Sequence, residues 1–396
     1  MAWTRKILRV DLSRGTCVPE ALNMAWANDY LGQRGLATKY LAEEIDPACD
    51  ALGPDNKLVM ATGPLTGTMA STGGRYSVIT KSPLTGLVAC SNSGGFIGAE
   101  MKNAGWDMII FEGQSPEPVY LYVENDRAEL RSAAAIWGKS VWEADEILHR
   151  QHQDPQLRVA CIGRSAEAGC LYAAVVNDLH RAAGRSGVGT VMASKNLKAV
   201  AVRGTLGVGN IADPAGFMAA VNAGKQVLAD NAVTGQGLPT YGTQVLMNVI
   251  NGMGAMPTRN MREVQFEGAE KISGEAMHEP RASDGKPNLT TNAGCFGCTI
   301  ACGRISTVDK GHFSVKNKPE YWGNSGGLEY EAAWAMGPDT GVNDIDALTY
   351  ANFVCNEDGF DPISFGATVA AAMELYKLGA ITKEQTDGVD FSFGSA

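Results

Sequence analysis

At 396 residues the chain is long enough for roughly two or three domains with a substantial core, and 45% hydrophobic with 19% charged residues is the composition of an ordinary globular protein. A formal charge of −10 argues against a surface that tracks nucleic-acid phosphates, so small molecules and proteins are the expected partners. No apolar run reaches the ~18 residues of a membrane span, and Met1-Ala-Trp-Thr-Arg-Lys-Ile-Leu lacks the apolar stretch and cleavage site of a signal peptide; the expected location is the cytoplasm, away from membranes.

Short apolar runs punctuated by Gly, Pro and Asn predict strands at Ile7–Leu12, Lys57–Ala61, Tyr76–Thr80, Met108–Glu112, Val119–Glu124, Arg158–Ile162 and Ala199–Arg203. Asn125-Asp126 predicts a hairpin turn joining Val119–Glu124 to Arg127–Arg131. Helices are expected at Ala25–Glu43, Gly95–Ala104 and Val141–Gln151. After Gly207-Val-Gly-Asn210 the texture becomes helical: Asp213-Pro214 is an N-cap and N1 pair opening an apolar-periodic stretch through Leu228. Residues 253–294 read as a long irregular segment, Asp344–Val354 and Ser364–Leu378 as helices, and Thr382-Lys-Glu-Gln385 as the start of a further element. No internal repeat is evident. The division expected is a β-rich domain, 1–207, and a helical domain, 208–396.

Nine cysteines are too few for a disulfide scaffold of this size. Cys17, Cys49, Cys90, Cys161 and Cys170 have no ligand spacing and read as small, half-buried hydrophobes. Cys295, Cys298 and Cys302 differ: in Gly294-Cys-Phe-Gly-Cys-Thr-Ile-Ala-Cys-Gly303 they stand at x2 and x3 spacing on a short turn. An iron–sulfur cluster takes about four soft ligands, three commonly from one loop; the fourth is not obvious. Zinc is the second reading, since none of His149, His152, His180, His278 or His312 is placed to complete a zinc site with this loop.

Two further regions suit phosphate groups. Asn177-Asp-Leu-His-Arg-Ala-Ala-Gly-Arg-Ser-Gly-Val-Gly189 combines three glycines, which let backbone amides approach a ligand, with Arg181 and Arg185; a tight turn between packed elements is the plain alternative. Gly-rich turns at Thr72–Gly86 and Ser91–Phe96 bracket strands and carry Arg75, a bidentate donor, and Asn92, both donor and acceptor. Together these loops imply a bulky, polyanionic, heteroatom-rich cofactor. Glu331, at a helix start, is either a solvated cap or a working carboxylate.

Ala61-Thr-Gly-Pro-Leu-Thr-Gly67, Thr72-Gly-Gly-Arg-Tyr76, Lys81-Ser-Pro-Leu-Thr-Gly86, Asn92-Ser-Gly-Gly95, His180-Arg-Ala-Ala-Gly-Arg185 and Ser194-Lys-Asn-Leu-Lys-Ala199 resemble signatures of the tungsten-containing aldehyde ferredoxin oxidoreductase family, and the likeness runs along the whole chain. The resemblance implies an α+β fold: a β-rich N-terminal domain forming a saddle under the cofactor, then a mainly helical domain bearing the cysteine loop. It implies tungsten held by the dithiolenes of two pterins with no protein ligand, a 4Fe–4S cluster, and Mg²⁺ bridging the pterin phosphates. By position, Arg75, Asn92, Gly94, Arg181, Ala182 and Gly184 match pterin-holding residues, Cys295, Cys298 and Cys302 match cluster ligands, and Glu331 matches an acid near tungsten.

The family motif D-x-x-G-L-D stands here as Asn356-Glu-Asp-Gly-Phe-Asp361, so Asn356, Phe360 and Asp361 match pterin contacts with one charge lost. A family metal ligand at a subunit interface falls on Tyr350, which cannot replace a carboxylate, so that bridging metal is not carried over. The family continues into a further helical domain that supplies the fourth cluster cysteine; this sequence lacks it, so the chain is expected to be a fragment or to be completed by another polypeptide. The activity implied is reversible oxidation of an aldehyde to a carboxylic acid, with electrons passing to ferredoxin or an iron–sulfur subunit of an oligomer or complex. Reduction of an aromatic acyl-CoA ring and a non-catalytic iron–sulfur electron carrier are the alternatives.

Overall fold

The computed structural model describes residues 2–396, which form two compact units: one of residues 2–227 with Cys295–Thr299 and Asn356–Asp361, the other of Leu228–Gly294, Ile300–Cys355 and Pro362–Ala396. In the first unit, β1 (Lys6–Asp11), β2 (Thr16–Ala21), β3 (Leu58–Thr62), β4 (Tyr76–Lys81), β5 (Val88–Ser93) and β6 (Met108–Glu112) make one six-stranded sheet in the order β2-β1-β6-β3-β4-β5. Only β1 and β6 pair in parallel. A second sheet contains β7 (Val119–Glu124), β8 (Arg127–Ser132), β9 (Arg158–Cys161), β10 (Val175–Asn177), β11 (Arg181–Ala183) and β12 (Leu197–Arg203), in the order β11-β10-β9-β12-β7-β8, with β7 and β12 its one parallel pair.

Counted from its own first strand, each sheet reads 2-1-6-3-4-5. The helices repeat as well. α1 (Met24–Tyr30) and α2 (Gln33–Glu44) join the second strand of the first sheet to its third, and α3 (Ile97–Asn103) its fifth to its sixth; α4 (Val141–His152) and α6 (Val188–Ser194) stand at the same places in the second sheet, which adds the short α5 (Arg164–Glu167). A topological duplication therefore lies in a sequence without an evident repeat. It escapes sequence reading because what recurs is strand order and alternation, not residue identity, and because β10 and β11 have three residues each.

Alternation explains the layering. In β3, Leu58 and Met60 face one core and Val59 and Ala61 another; in β12, Val200 and Val202 part from Ala199 and Ala201 in the same way. The shared core holds Leu8, Val78 and Phe111 of one sheet, Leu121 and Val200 of the other, and Met101 and Val191 of α3 and α6. Outer faces are covered by α2 through Leu36, Tyr40 and Leu41, and by α4 through Val141, Ala144 and Leu148. Strands buried on both faces give the continuous apolar runs seen in the sequence.

Most predicted strands stand within a residue or two of their expected ends, and the Asn125-Asp126 hairpin forms with Glu124 paired to Arg127. The single helix expected over Ala25–Glu43 is instead two, because Leu31 turns left-handed (φ 61°) before Gly32. After the first unit's strands comes α7 (Pro214–Asp230), as the Asp213-Pro214 pair predicts. The second unit holds α8 (Leu238–Tyr241), α9 (Leu246–Gly252), a small antiparallel sheet of β13 (Leu289–Ala293), β14 (Gly303–Ser306) and β15 (Ser325–Gly326), then α10 (Tyr330–Met336), α11 (Ile345–Asp358) and α12 (Pro362–Lys377), the last two passing the Asn356–Asp361 segment of the first unit. Thr382–Gln385 forms turns and opens no further helix or strand. No helix of the described residues is long and apolar enough to cross a membrane.

The edges β5 and β11 meet at Asn177, which is 1% exposed. Its Oδ1 accepts from Tyr76 Oη (3.1 Å) and Ser93 Oγ (2.7 Å), and its Nδ2 donates to the Gly94 carbonyl (3.0 Å) and to Asp178 Oδ2 (2.7 Å). Burial pushes the Tyr76 phenol well up, so it stays a donor. Asn177→Leu leaves two hydroxyls and a carbonyl unpaired at this junction and is expected to cost about 3 kcal/mol or more, against about 1 kcal/mol for Tyr76→Phe. The shift of the urea unfolding transition measures both.

Candidate cofactor cradle and cysteine loop

Arg75 is exposed at the entry to β4, with Gln33 Nε2 donating to its carbonyl (2.7 Å) and its own Nη1 donating to Asn92 Oδ1 (2.8 Å). The Asn92 amide is fixed in turn, donating to the Tyr76 carbonyl (3.0 Å) and Ser77 Oγ (3.1 Å). One residue beyond β5 the chain turns at Gly94-Gly95. Gly95 has φ +84°, and a Cβ there would lie 2.1 Å from Asp178 Oδ2; that carboxylate also accepts from Phe96 N (2.9 Å). Only a glycine allows the backbone to be held this closely.

Cys295–Thr299 lies on this turn. Phe296 N donates to the Gly95 carbonyl (3.1 Å), Cys298 N to the Cys295 carbonyl (3.0 Å), and Thr299 Oγ1 meets Ser71 Oγ at 3.2 Å. A Cβ on Gly94 would stand 2.7 Å from Cys295 Sγ, and one on Gly74 would stand 3.0 Å from Phe296 Cβ. The predicted cofactor residues Arg75, Asn92 and Gly94 and the predicted ligand Cys295 are thus gathered in one place. Cys298 is half-buried on the same loop, while Cys302, also half-buried, belongs to the second unit and leads into β14. Among the described residues no group of three His, Cys, Asp or Glu side chains is gathered closely enough to hold a single metal ion.

The second sheet carries a matching corner. β5 ends at Ser93 opposite Tyr76, and β11 ends at Ala183 opposite Val175; Asn92 and Gly94 therefore correspond by register to Ala182 and Gly184. Arg181 pairs with Asn177 across the β10–β11 turn. As Cys295–Thr299 lies on the first corner, Asn356–Asp361 lies on the second. Phe360 bridges Ala173, Ala174 N donates to the Gly359 carbonyl (2.7 Å), and Asp361 N donates to the Tyr172 carbonyl (3.1 Å). A Cβ on Gly184 would stand 3.4 Å from Asp361 Oδ1. Asp361, 2% exposed, pairs with the exposed Arg185 at 3.3 Å. Asn356 is also buried. Burial, and next the Arg181 charge, push His180 down to about 4, so its imidazole is neutral at pH 7.

Glu331 belongs to the second unit, exposed in the first turn of α10. Beside it, burial and then the Glu331 charge raise the Tyr330 phenol, and Glu329 Oε2 accepts from Thr243 Oγ1 (2.6 Å). Tyr350 is held by Lys318, whose Nζ donates to its hydroxyl at 2.6 Å. Sequence reading assigned no role to Asn177 or Asp178, which brace the Gly94–Phe96 turn. The one available signal was a polar pair closing the apolar run Ala173-Ala-Val-Val176.

Two family models match: the aldehyde ferredoxin oxidoreductase N-terminal domain over residues 7–204, and domains 2 and 3 of the same family over residues 219–396. The chain is 46% identical over 393 residues to a tungsten-containing aldehyde ferredoxin oxidoreductase of Pyrococcus abyssi, covering 98% of this chain and 62% of that protein. It is 46% identical over 394 residues to the one of Thermococcus kodakarensis, covering 99% and 62%. The chain thus spans about six-tenths of the length of these relatives. Among solved structures, the active site complex BamBC of benzoyl coenzyme A reductase with 1,5-dienoyl-CoA is similar at TM-score 0.83 and 28% identity, over 98% of this chain and 58% of that one. The chain belongs to the aldehyde ferredoxin oxidoreductase family.

Proposed function

We propose that this chain is the cofactor-holding part of a tungsten–pterin oxidoreductase acting reversibly on aldehydes: aldehyde and water give carboxylic acid, two protons and two electrons. A 4Fe–4S cluster, when bound, would supply one-electron conduction to ferredoxin or an iron–sulfur partner subunit. The observation that carries the reading is the 46% identity to tungsten-containing aldehyde ferredoxin oxidoreductases across 98% of the chain. The duplicated corner supports it, because two equivalent corners suit two copies of one ligand.

When bound, tungsten with its two pterins supplies a centre that exchanges two electrons and polarises the substrate carbonyl. Arg75, Asn92 and Gly94 would hold one pterin, and Arg181, Ala182, Gly184, Asn356, Phe360 and Asp361 the other, and Mg²⁺ would supply charge neutralisation for the pterin phosphates. The chemistry of the residues fits: guanidinium forks for phosphate, amide and carboxylate groups for a pterin's ring edge, and glycines that open backbone to a ligand. His180, neutral at pH 7, adds no charge there. Cys295, Cys298 and Cys302 would supply soft thiolate ligands to the cluster. Glu331 would hold a proton at a carboxylate oxygen, taking it from water or returning it to the acid. A second reading, aromatic acyl-CoA reduction, is favoured by the fold likeness to the benzoyl coenzyme A reductase complex, at the lower identity of 28%.

Elemental analysis of the full protein purified without oxygen should give tungsten with about four iron per chain; iron without tungsten or molybdenum would sink the reading. Aldehyde-dependent reduction of a viologen dye is expected, and dienoyl-CoA-dependent reduction without aldehyde activity would move the assignment to the second reading. Gly94→Ala, whose methyl would displace the Cys295 thiol, should lose most of its iron, while Gly209→Ala, whose methyl meets nothing within 4 Å, should keep it. Wild-type iron content in Gly94→Ala would remove Cys295 from the ligand set.

A further inference from the structure

Arg304 is two residues past Cys302 and 1% exposed. β14 places it opposite Asn292 of β13. Its Nη1 donates to Asn292 Oδ1 and its Nη2 to the Thr240 carbonyl (2.7 Å), both neutral acceptors, and its Nε has no hydrogen-bond partner. Among the described residues no carboxylate lies within ion-pair distance of it. Nε and the Cys302 carbonyl flank the same glycine: a Cβ on Gly242 would stand 2.4 Å from the first and 2.9 Å from the second. Glu329, the nearby carboxylate of the same unit, already accepts a hydrogen bond from Thr243.

Burying a guanidinium without a counter-ion is costly, and an apolar or amide side chain of similar size would serve packing better. A guanidinium keeps its charge near neutral pH even when buried. The position of that charge supplies the reason: Nε and the Cys302 carbonyl lie on either side of Gly242, at the entry to β14, in a region poorly screened by water.

We propose that Arg304 is an electrostatic tuning residue for the cluster bound through Cys302, its fixed positive charge favouring the cluster state that carries one more electron and so raising the reduction potential. Arg304 itself takes up neither electron nor proton; the electron comes from substrate oxidation in turnover and from dithionite in the test. The inference rests on reading the cysteine loop as cluster-binding.

Redox-poised electron paramagnetic resonance of the full holoprotein tests it on three variants. Arg304→Gln removes the charge, Arg304→Lys keeps it, and Asn292→Asp places a carboxylate on the guanidinium without removing it. At a fixed poise, Arg304→Gln and Asn292→Asp should each lower the ratio of reduced to oxidised cluster about tenfold, equivalent to about 59 mV for a one-electron couple, while Arg304→Lys stays near wild type. Should Arg304→Gln fail to fold, Asn292→Asp decides. Equal midpoints in charge-altered and wild-type proteins of equal iron content would make Arg304 a structural residue only. A wild-type protein without iron would overturn the cluster reading, and this inference with it.

Discussion

The first unit hinges on one buried amide. Asn177 closes β10 at the junction where the two sheets meet edge to edge, and its donors and acceptors are committed to both sides: Tyr76 and Ser93 on the first sheet, Gly94 at its corner, and Asp178 on its own strand end. A buried polar group is tolerated only when fully paired, so the network permits few arrangements of the two edges. Asp178 extends the constraint by bonding Phe96 N, and Gly95 answers the pair by having no side chain. The Gly94–Phe96 turn is thereby held from behind while its front remains open to the cysteine loop.

The duplication gives that constraint its meaning. Two sheets of identical strand order bring their fifth strands together, and each fifth strand is followed at once by a glycine capped by a segment from far along the chain: Cys295–Thr299 on Gly94, Asn356–Asp361 on Gly184. The caps differ in chemistry as the corners differ in position. One offers thiols, the other a buried aspartate paired to Arg185. A pair of near-equivalent ligands, distinguished by what lies beyond each, is the natural occupant of such an arrangement, and this supports the two-pterin reading independently of the identity to relatives.

Legibility from the sequence followed burial. Strands apolar on both faces, such as β3, β6 and β12, announced themselves because nothing but a doubly covered sheet needs such runs. The edge strands did not: β2 is exposed along most of its length and carries Pro19, and β5 reads as Ser91-Asn-Ser93 where its polar side chains serve the junction. The cysteine loop was visible by spacing alone, whereas Asn356–Asp361 was found only through family resemblance, since its residues carry no pattern until Gly359 and Phe360 meet Ala174 and Ala173. Asn177 was passed over because its importance is not local; the hydroxyls it binds are 101 and 84 residues away.

Buried cations elsewhere in the molecule show how unusual Arg304 is. Lys102 is sealed against Asp107 and Lys198 against Glu167, each a charge matched within the chain. Lys195 binds only the carbonyls of Asn56 and Gly113, and burial answers by pushing its pKa down to about 8, within reach of losing the charge altogether. A guanidinium has no such escape near neutral pH. Arg304, with two neutral acceptors and an unpaired Nε, therefore keeps a charge that no hydrogen-bonding partner neutralises, two residues from the cysteine proposed to hold the cluster.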